Sequence, residues 1–204
     1  MLNTLQFIDN VILLGDPEWK ESYLKERFLE VVKTKDLQVS CGLISKPFVV
    51  ECLQTISLTQ FMISLSHATG KGHVEAVRLL LQIDFPITVY TRGLWVSRAA
   101  STGHVQIIRE LLRNNAVIGN DMRGTALGAA AACGCLKAIK LLDNGEISQD
   151  LRGSAVMNAA EGGHIKIIRV LLRNGTIVTD NRDMAKKLAA RKGHHQAVKE
   201  LSKL

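Results

Sequence analysis

The stretch AASTGHVQIIRELLRNN at residues 99–115 decides the fold, because the chain nearly repeats it three more times. ATGKGHVEAVRLLLQID stands at 68–84, AAEGGHIKIIRVLLRNG at 159–175 and AARKGHHQAVKELSKL at 189–204. In the quoted stretch Val105, Ile108, Leu111 and Leu112 fall at steps of three, six and seven, which is one stripe of a helix. Ile165, Ile168, Leu171 and Leu172 repeat the stripe, as do Val74, Val77, Leu80 and Leu81. The glycine of the Gly-His pair, or its equivalent, recurs at Gly72, Gly103, Gly134, Gly163 and Gly193, in steps of 31, 31, 29 and 30. A single helix pair cannot bury its apolar stripe alone. Copies at such a period can, because each covers the next.

Each unit reads as helix, tight glycine turn, helix and loop. Small pairs stand four and three residues before the glycine (Ala99-Ala100, Ala130-Ala131, Ala159-Ala160, Ala189-Ala190), where they let a neighbouring helix approach closely. The glycine supplies the positive φ that ends the first helix. Asn114-Asn115, Asn144-Gly145 and Asn174-Gly175 read as left-handed stops of the second helix. The turn formers NDMRG at 120–124, QDLRG at 149–153 and TDNRD at 179–183 place an extended loop before each next unit. The third full unit is one residue short, and Cys135 takes the histidine's place. The last unit, rich in lysine, suits a terminal cap with a wet outer face. Residues 1–57 lack the pattern. Helices are expected at 19–34 and 47–57, with a short one in TLQFIDNVILL, as an N-terminal helical cap, with or without one or two eroded repeats in it.

The composition, 47% hydrophobic and 22% charged over 204 residues, is that of a globular chain. No window has 18 consecutive apolar residues, so no transmembrane helix is expected, and the first residues lack a basic cluster and a cleavage site of secretory type. Charge is uneven. Residues 1–57 hold six Lys/Arg against eight Asp/Glu, and residues 58–204 hold twenty against eleven. Cys41, Cys52, Cys133 and Cys135 have no zinc-type spacing and read as reduced thiols of a cytoplasmic protein.

Catalytic signatures are missing. The sequence has no phosphate-binding glycine loop, nucleophile elbow or His-Glu-x-x-His. Four of its six histidines recur at the Gly-His position, one per unit, so they run along a stack and do not converge. A helix-start residue with a structural hydrogen bond is the reading preferred over a metal or acid–base role. No enzyme activity, cofactor or metal is expected.

The motif Ala-Ala-x-x-Gly-His, followed by an apolar helix ending in Leu-Leu, resembles the ankyrin repeat over residues 60–204. The family's Thr-Pro-Leu-His element is eroded to RGLWVSRAA, RGTALGAAA and RGSAVMNAA, with only Thr125 and Leu127 keeping two of its four positions. That element ties adjacent repeats in the family, so its loss implies either less rigid bonding between repeats here or a divergent lineage. The resemblance implies an all-α, ankyrin-repeat α-solenoid with a helical N-terminal cap. The expected divisions are 1–57 for the cap and 58–88, 89–119, 120–148, 149–178 and 179–204 for the repeats.

The resemblance further implies a non-enzymatic protein–protein interaction module that meets its partner with loops and the inner face of first helices. Eleven residues before four of the five turn glycines stands an arginine: Arg92, Arg123, Arg152 and Arg182. Such a ladder is either a positive stripe for an acidic partner protein or a duplicated residue with a solvated head. Tyr90, Trp95, Met122 and Leu151 are candidate anchors, although Trp95 also suits packing at a helix start. Ser101, Thr102, Glu161, Arg191 and Lys192 add contacts at the first-helix ends, and Arg98, Arg113 and Arg173 add charge. The alternative is a basic surface for nucleic acid or phosphoinositide, which scarce aromatics disfavour for nucleic acid. A monomer is expected, with delivery to a host cytoplasm as an effector one further possibility.

Overall fold

The computed structural model describes residues 58–82, 85–113 and 116–203. The expected cap at 1–57 lies outside them. The chain divides into two compact units, residues 1–85 and 86–204. Every element among the described residues is helical.

The first unit contributes α1 (Leu58–Lys71) and α2 (Val74–Leu80). Phe61, Leu65 and Ala68 of α1 and Val77 and Leu80 of α2 are buried, and Phe85 stacks its ring at 4.8 Å from that of Phe61.

The second unit holds four helix pairs: α3 (Val89–Ser101) with α4 (Val105–Leu111), α5 (Asn120–Ala132) with α6 (Leu136–Leu142), α7 (Gln149–Glu161) with α8 (Ile165–Asn174), and α9 (Thr179–Arg191) with α10 (His195–Leu201). First helices pack in file, α3 on α5 on α7 on α9, and second helices do the same, α4 on α6 on α8 on α10. The alanine pairs explain the closeness of the first file. Ala99, Ala100, Ala130, Ala131, Ala159 and Ala160 are fully buried where neighbouring first helices meet. The second helices bury Ile107, Ile108 and Leu111 in α4 and Ile167, Ile168 and Leu171 in α8. The apolar stripe read from sequence is therefore rotated. Ile107 and Ile167 join it, while Val105 and Leu112 stay half-exposed. Each second helix is covered from two sides, by its own first helix and by the adjacent second helices, which widens the buried face.

The turn between paired helices has one design throughout. Gly72, Gly103, Gly134, Gly163 and Gly193 all have φ between 70° and 83°. The amide three residues past the helix reaches back to the first alanine of the small pair. His104 N–H donates to Ala99 O at 2.8 Å, Cys135 to Ala130 at 3.0 Å, His164 to Ala159 at 2.8 Å and His194 to Ala189 at 2.8 Å. This is the Schellman closure, and it needs a residue free to adopt the left-handed backbone.

Two sequence expectations change. NDMRG, QDLRG and TDNRD are not loop but the opening turns of α5, α7 and α9. Their aspartates Asp121, Asp150 and Asp180 lie in the first helical turn, where the helix dipole favours a carboxylate, so residues that read as turn formers start a helix instead. Ser148 and Thr88 cap α7 and α3, accepting from Leu151 N and Thr91 N. At the stops, Gly145 takes the left-handed conformation with φ 81°, but Gly175 is extended. Asn114-Asn115 lies outside the described residues.

Candidate functional site

Two arginines of the ladder, Arg152 and Arg92, are engaged within the fold. Arg152 sits at the start of α7 with 1% exposure, and its guanidinium pairs bidentately with Asp143, both bonds at 2.9 Å. Asp143 closes α6 and accepts also from Asn174 Nδ2 at 3.0 Å and from Gly145 N–H at 3.4 Å. The residue missing from the third repeat is absorbed here, in a tight turn where Asn144 Oδ1 accepts from Glu146 N–H. Burial pushes the Asp143 carboxyl up, but the hydrogen bonds from Arg152 and Asn174 and the guanidinium charge outweigh it and hold the group below its ordinary value.

Arg92, half-buried, donates to Leu111 O at 2.9 Å at the end of α4, and burial lowers its guanidinium from the usual value. Arg123 and Arg182 are half-buried with their Nε atoms enclosed. The expected stripe of free guanidinium groups is thus corrected. Arg152 is spent on Asp143 and Arg92 on a helix end, because an arginine in the first turn of a first helix lies beside the open carbonyl end of a second helix.

Two of the candidate anchors also have structural work. Met122 of α5 lies on Gly93 of α3, Leu151 of α7 on Gly124 of α5, and Asn181 of α9 on Gly153 of α7, each so close that a Cβ on the glycine would stand within 3 Å of it. The residue before each arginine plugs the gap left by the glycine after the arginine of the preceding repeat. Met122 and Leu151 are therefore half-buried joints between repeats, not free loop contacts. Trp95 is 4% exposed and belongs to the core.

Bonding between repeats has moved to the turns. His164 Nε2 lies 3.3 Å from Ala132 O and His194 Nε2 lies 3.1 Å from Glu161 O, and their rings cover Gly134 and Gly163. These histidines start α8 and α10 without capping their own helices. Cys135 makes the same reach more weakly, with Sγ 4.0 Å from Gly103 O, while Cys133 Sγ donates to Ala100 O at 3.1 Å. Asn158 Nδ2 adds a bond to Gly128 O at 3.1 Å. Asn158 and the turn residues are ties that the eroded Thr-Pro-Leu-His element did not foretell. Their signal was the histidine recurring beside the turn glycine.

Tyr90, at 63%, is exposed, and so are Ser101, whose hydroxyl donates to Arg98 O at 2.8 Å, and Arg191, which lies 3.9 Å from Glu161 Oε1. Glu161 is half-exposed and near Lys192 Nζ at 3.4 Å. Sequence reasoning missed Leu94 and Met184, exposed at 46% and 49%, which share a position of the repeat with exposed Thr125 and Ser154. It also missed that Asp121, Asp150 and Asp180 form the exposed row at the first-helix starts, in register with Tyr90. Among the described residues no His, Cys, Asp and Glu group could hold a metal ion, and no helix is long and apolar enough to cross a membrane.

A family model of ankyrin repeats, in three copies, matches residues 65–152. No curated protein sequence matches the chain. Among solved structures it is similar to the crystal structure of the human ASB11 ankyrin repeat domain, with a TM-score of 0.55 and 20% identity, over 68% of this chain and 67% of that one. Ankyrin repeats are generally protein–protein interaction modules. Residues 65–152 are ankyrin repeats, and the chain has the ankyrin-repeat fold.

Proposed function

We propose that this chain is a non-enzymatic adaptor that recognises a partner protein with the exposed row of its first helices. The observation that carries the reading is the register of Tyr90 and Leu94 at one end, Thr125 and Ser154 in the middle and Met184 at the other. It is a strip of accessible side chains on the rigid file of α3, α5, α7 and α9, with large apolar groups at both ends. Tyr90, Ser101, Glu161 and Arg191 are retained as contact residues. Met122, Leu151, Trp95 and Arg152 are not, since each is engaged in packing or pairing. The aspartate row favours basic and polar groups on the partner's matching edge, so the ladder no longer argues for an acidic partner at this surface. The free thiols of Cys133 and Cys135 suit a cytoplasmic setting.

The test is affinity capture from cell lysate with and without nuclease, with the partner identified by mass spectrometry. The double variant Tyr90→Ala/Leu94→Ala is expected to lose the partner while keeping its helical spectrum. Loss of capture on nuclease treatment, or full capture by the double variant, overturns the reading.

A further inference from the structure

The excess of positive over negative charge in residues 86–204 is larger on the second helices than on the first. α4, α6, α8 and α10 carry seven Lys/Arg against two Glu, whereas the four first helices carry eight against five Asp/Glu. Arg109, Lys140, Arg169 and Lys199 occupy one position of successive repeats, and Lys137 and Lys166 stand three residues before two of them. All six are exposed. The spacing of three puts each lysine beside its neighbour on one side of its helix. Both glutamates of this face are already engaged, Glu110 with Arg113 at 3.1 Å and Glu200 with Arg169 and Lys203, each at 2.6 Å.

A cleft of about 450 Å³ opens on the same face across α6, α8 and α10. Leu136, Ile165 and Ile167 line it together with Lys166, Arg169 and Gln196. We propose that this second-helix face, centred on the cleft, docks an acidic polypeptide segment that carries apolar side chains between its carboxylates. The surface is separate from the first-helix row and stands or falls independently of it.

The mixed lining selects the occupant. A phosphodiester backbone or a lipid headgroup answers the lysines but has nothing to place against Leu136 and Ile165. The second helices carry no Phe, Tyr or Trp on which a base could stack. The exposed large apolar residues of this unit, Val89, Tyr90, Leu94, Val117, Val178 and Met184, lie on first helices or the segments leading into them, so nothing on the cationic face would insert into a bilayer. The molecule also holds a small version of the contact. Glu200 reaches from α10 to Arg169 on α8, and the hydrogen bonds from Arg169 and Lys203 hold its carboxyl down to about 2. Lys140 and Lys166 offer the same attraction to carboxylates from outside.

The experiment measures fluorescence anisotropy of a labelled synthetic peptide of alternating Glu and Leu against the full chain. An oligoglutamate of equal charge, a DNA duplex and phosphatidylserine vesicles serve as competitors. The Glu-Leu peptide is expected to bind more tightly than oligoglutamate and more weakly as salt rises. Lys140→Glu/Lys166→Glu is expected to raise Kd about tenfold with the melting curve unchanged, since both side chains lie outside the core. Glu200→Gln, which releases Arg169, is expected to lower Kd, an effect that a merely structural role for the pair would not give. Absence of peptide binding, equal binding by the charge-reversed variant, or displacement by duplex or vesicles at lower concentration than by the peptide overturns the proposal.

Discussion

At the scale of single residues the decisive pair is Arg152 and Asp143, whose side chains are 2% and 0% exposed. Breaking a buried pair strands a charge, so Arg152→Ala is expected to cost about 3–5 kcal/mol in urea unfolding. Arg152→Glu would set two carboxylates face to face and is expected to leave no folded protein at room temperature. The pair also gives an acid signature. The folded-state carboxyl of Asp143 lies below its ordinary value, so the unfolded chain binds the proton first as pH drops. The stabilisation is whole above the ordinary carboxylate value of about 4 and fades as pH falls through the folded value. Urea midpoints of the native chain should therefore fall below about pH 4. Asp143→Asn, weaker at neutral pH, should lose that part of the fall. A parallel fall in both proteins would show that the pair contributes nothing to acid sensitivity.

At the scale of the elements, much was legible in the sequence because it obeys a period. The Gly-His steps gave the five turns, and the alanine pairs gave the close side of the first helices. What stayed hidden depends on neighbours in the preceding repeat, whether nine residues away, as for Arg152 and Asp143, or about thirty. Nothing in NDMRG says helix until Met122 has a preceding repeat to pack on, and nothing in Arg152 alone announces Asp143 behind it. The candidate site suffered for the same reason, since Met122 and Leu151 look like loop anchors until Gly93 and Gly124 are placed beneath them. Two measurements probe these joints. Cys135→His should supply the ring that His164 and His194 provide elsewhere, adding about 1 kcal/mol, or about 2–4 °C of melting temperature. An unchanged or lower midpoint would show that the third turn cannot seat a ring. Gly124→Ala places a Cβ 2.6 Å from Leu151 Cδ1 and should destabilise. Pairing it with Leu151→Ala should recover part of that loss, and additive costs in the double-mutant cycle would refute the plug.

At the scale of the whole molecule, the second unit separates its surfaces by helix file. First helices show aspartates, small polar groups, a few large apolar residues and the cations Arg98, Lys187 and Arg191, and second helices show cations with few carboxylates beside them. The net charge of +7 thus says less about partners than where it sits. The turn ties and the arginine pair also fix how the array could be cut. Each histidine belongs to one repeat and rests on the turn behind it, while Arg152 leans on an aspartate that the same helix-pair reckoning assigns to the previous repeat. A transplantable cassette therefore has its seam between Leu142 and Asp143, not at residue 149 where α7 opens. A tandem copy spanning 143–172 would carry its own counter-ion and its own ring. One spanning 149–178 would deliver a second guanidinium against Arg173 and leave it without a mate.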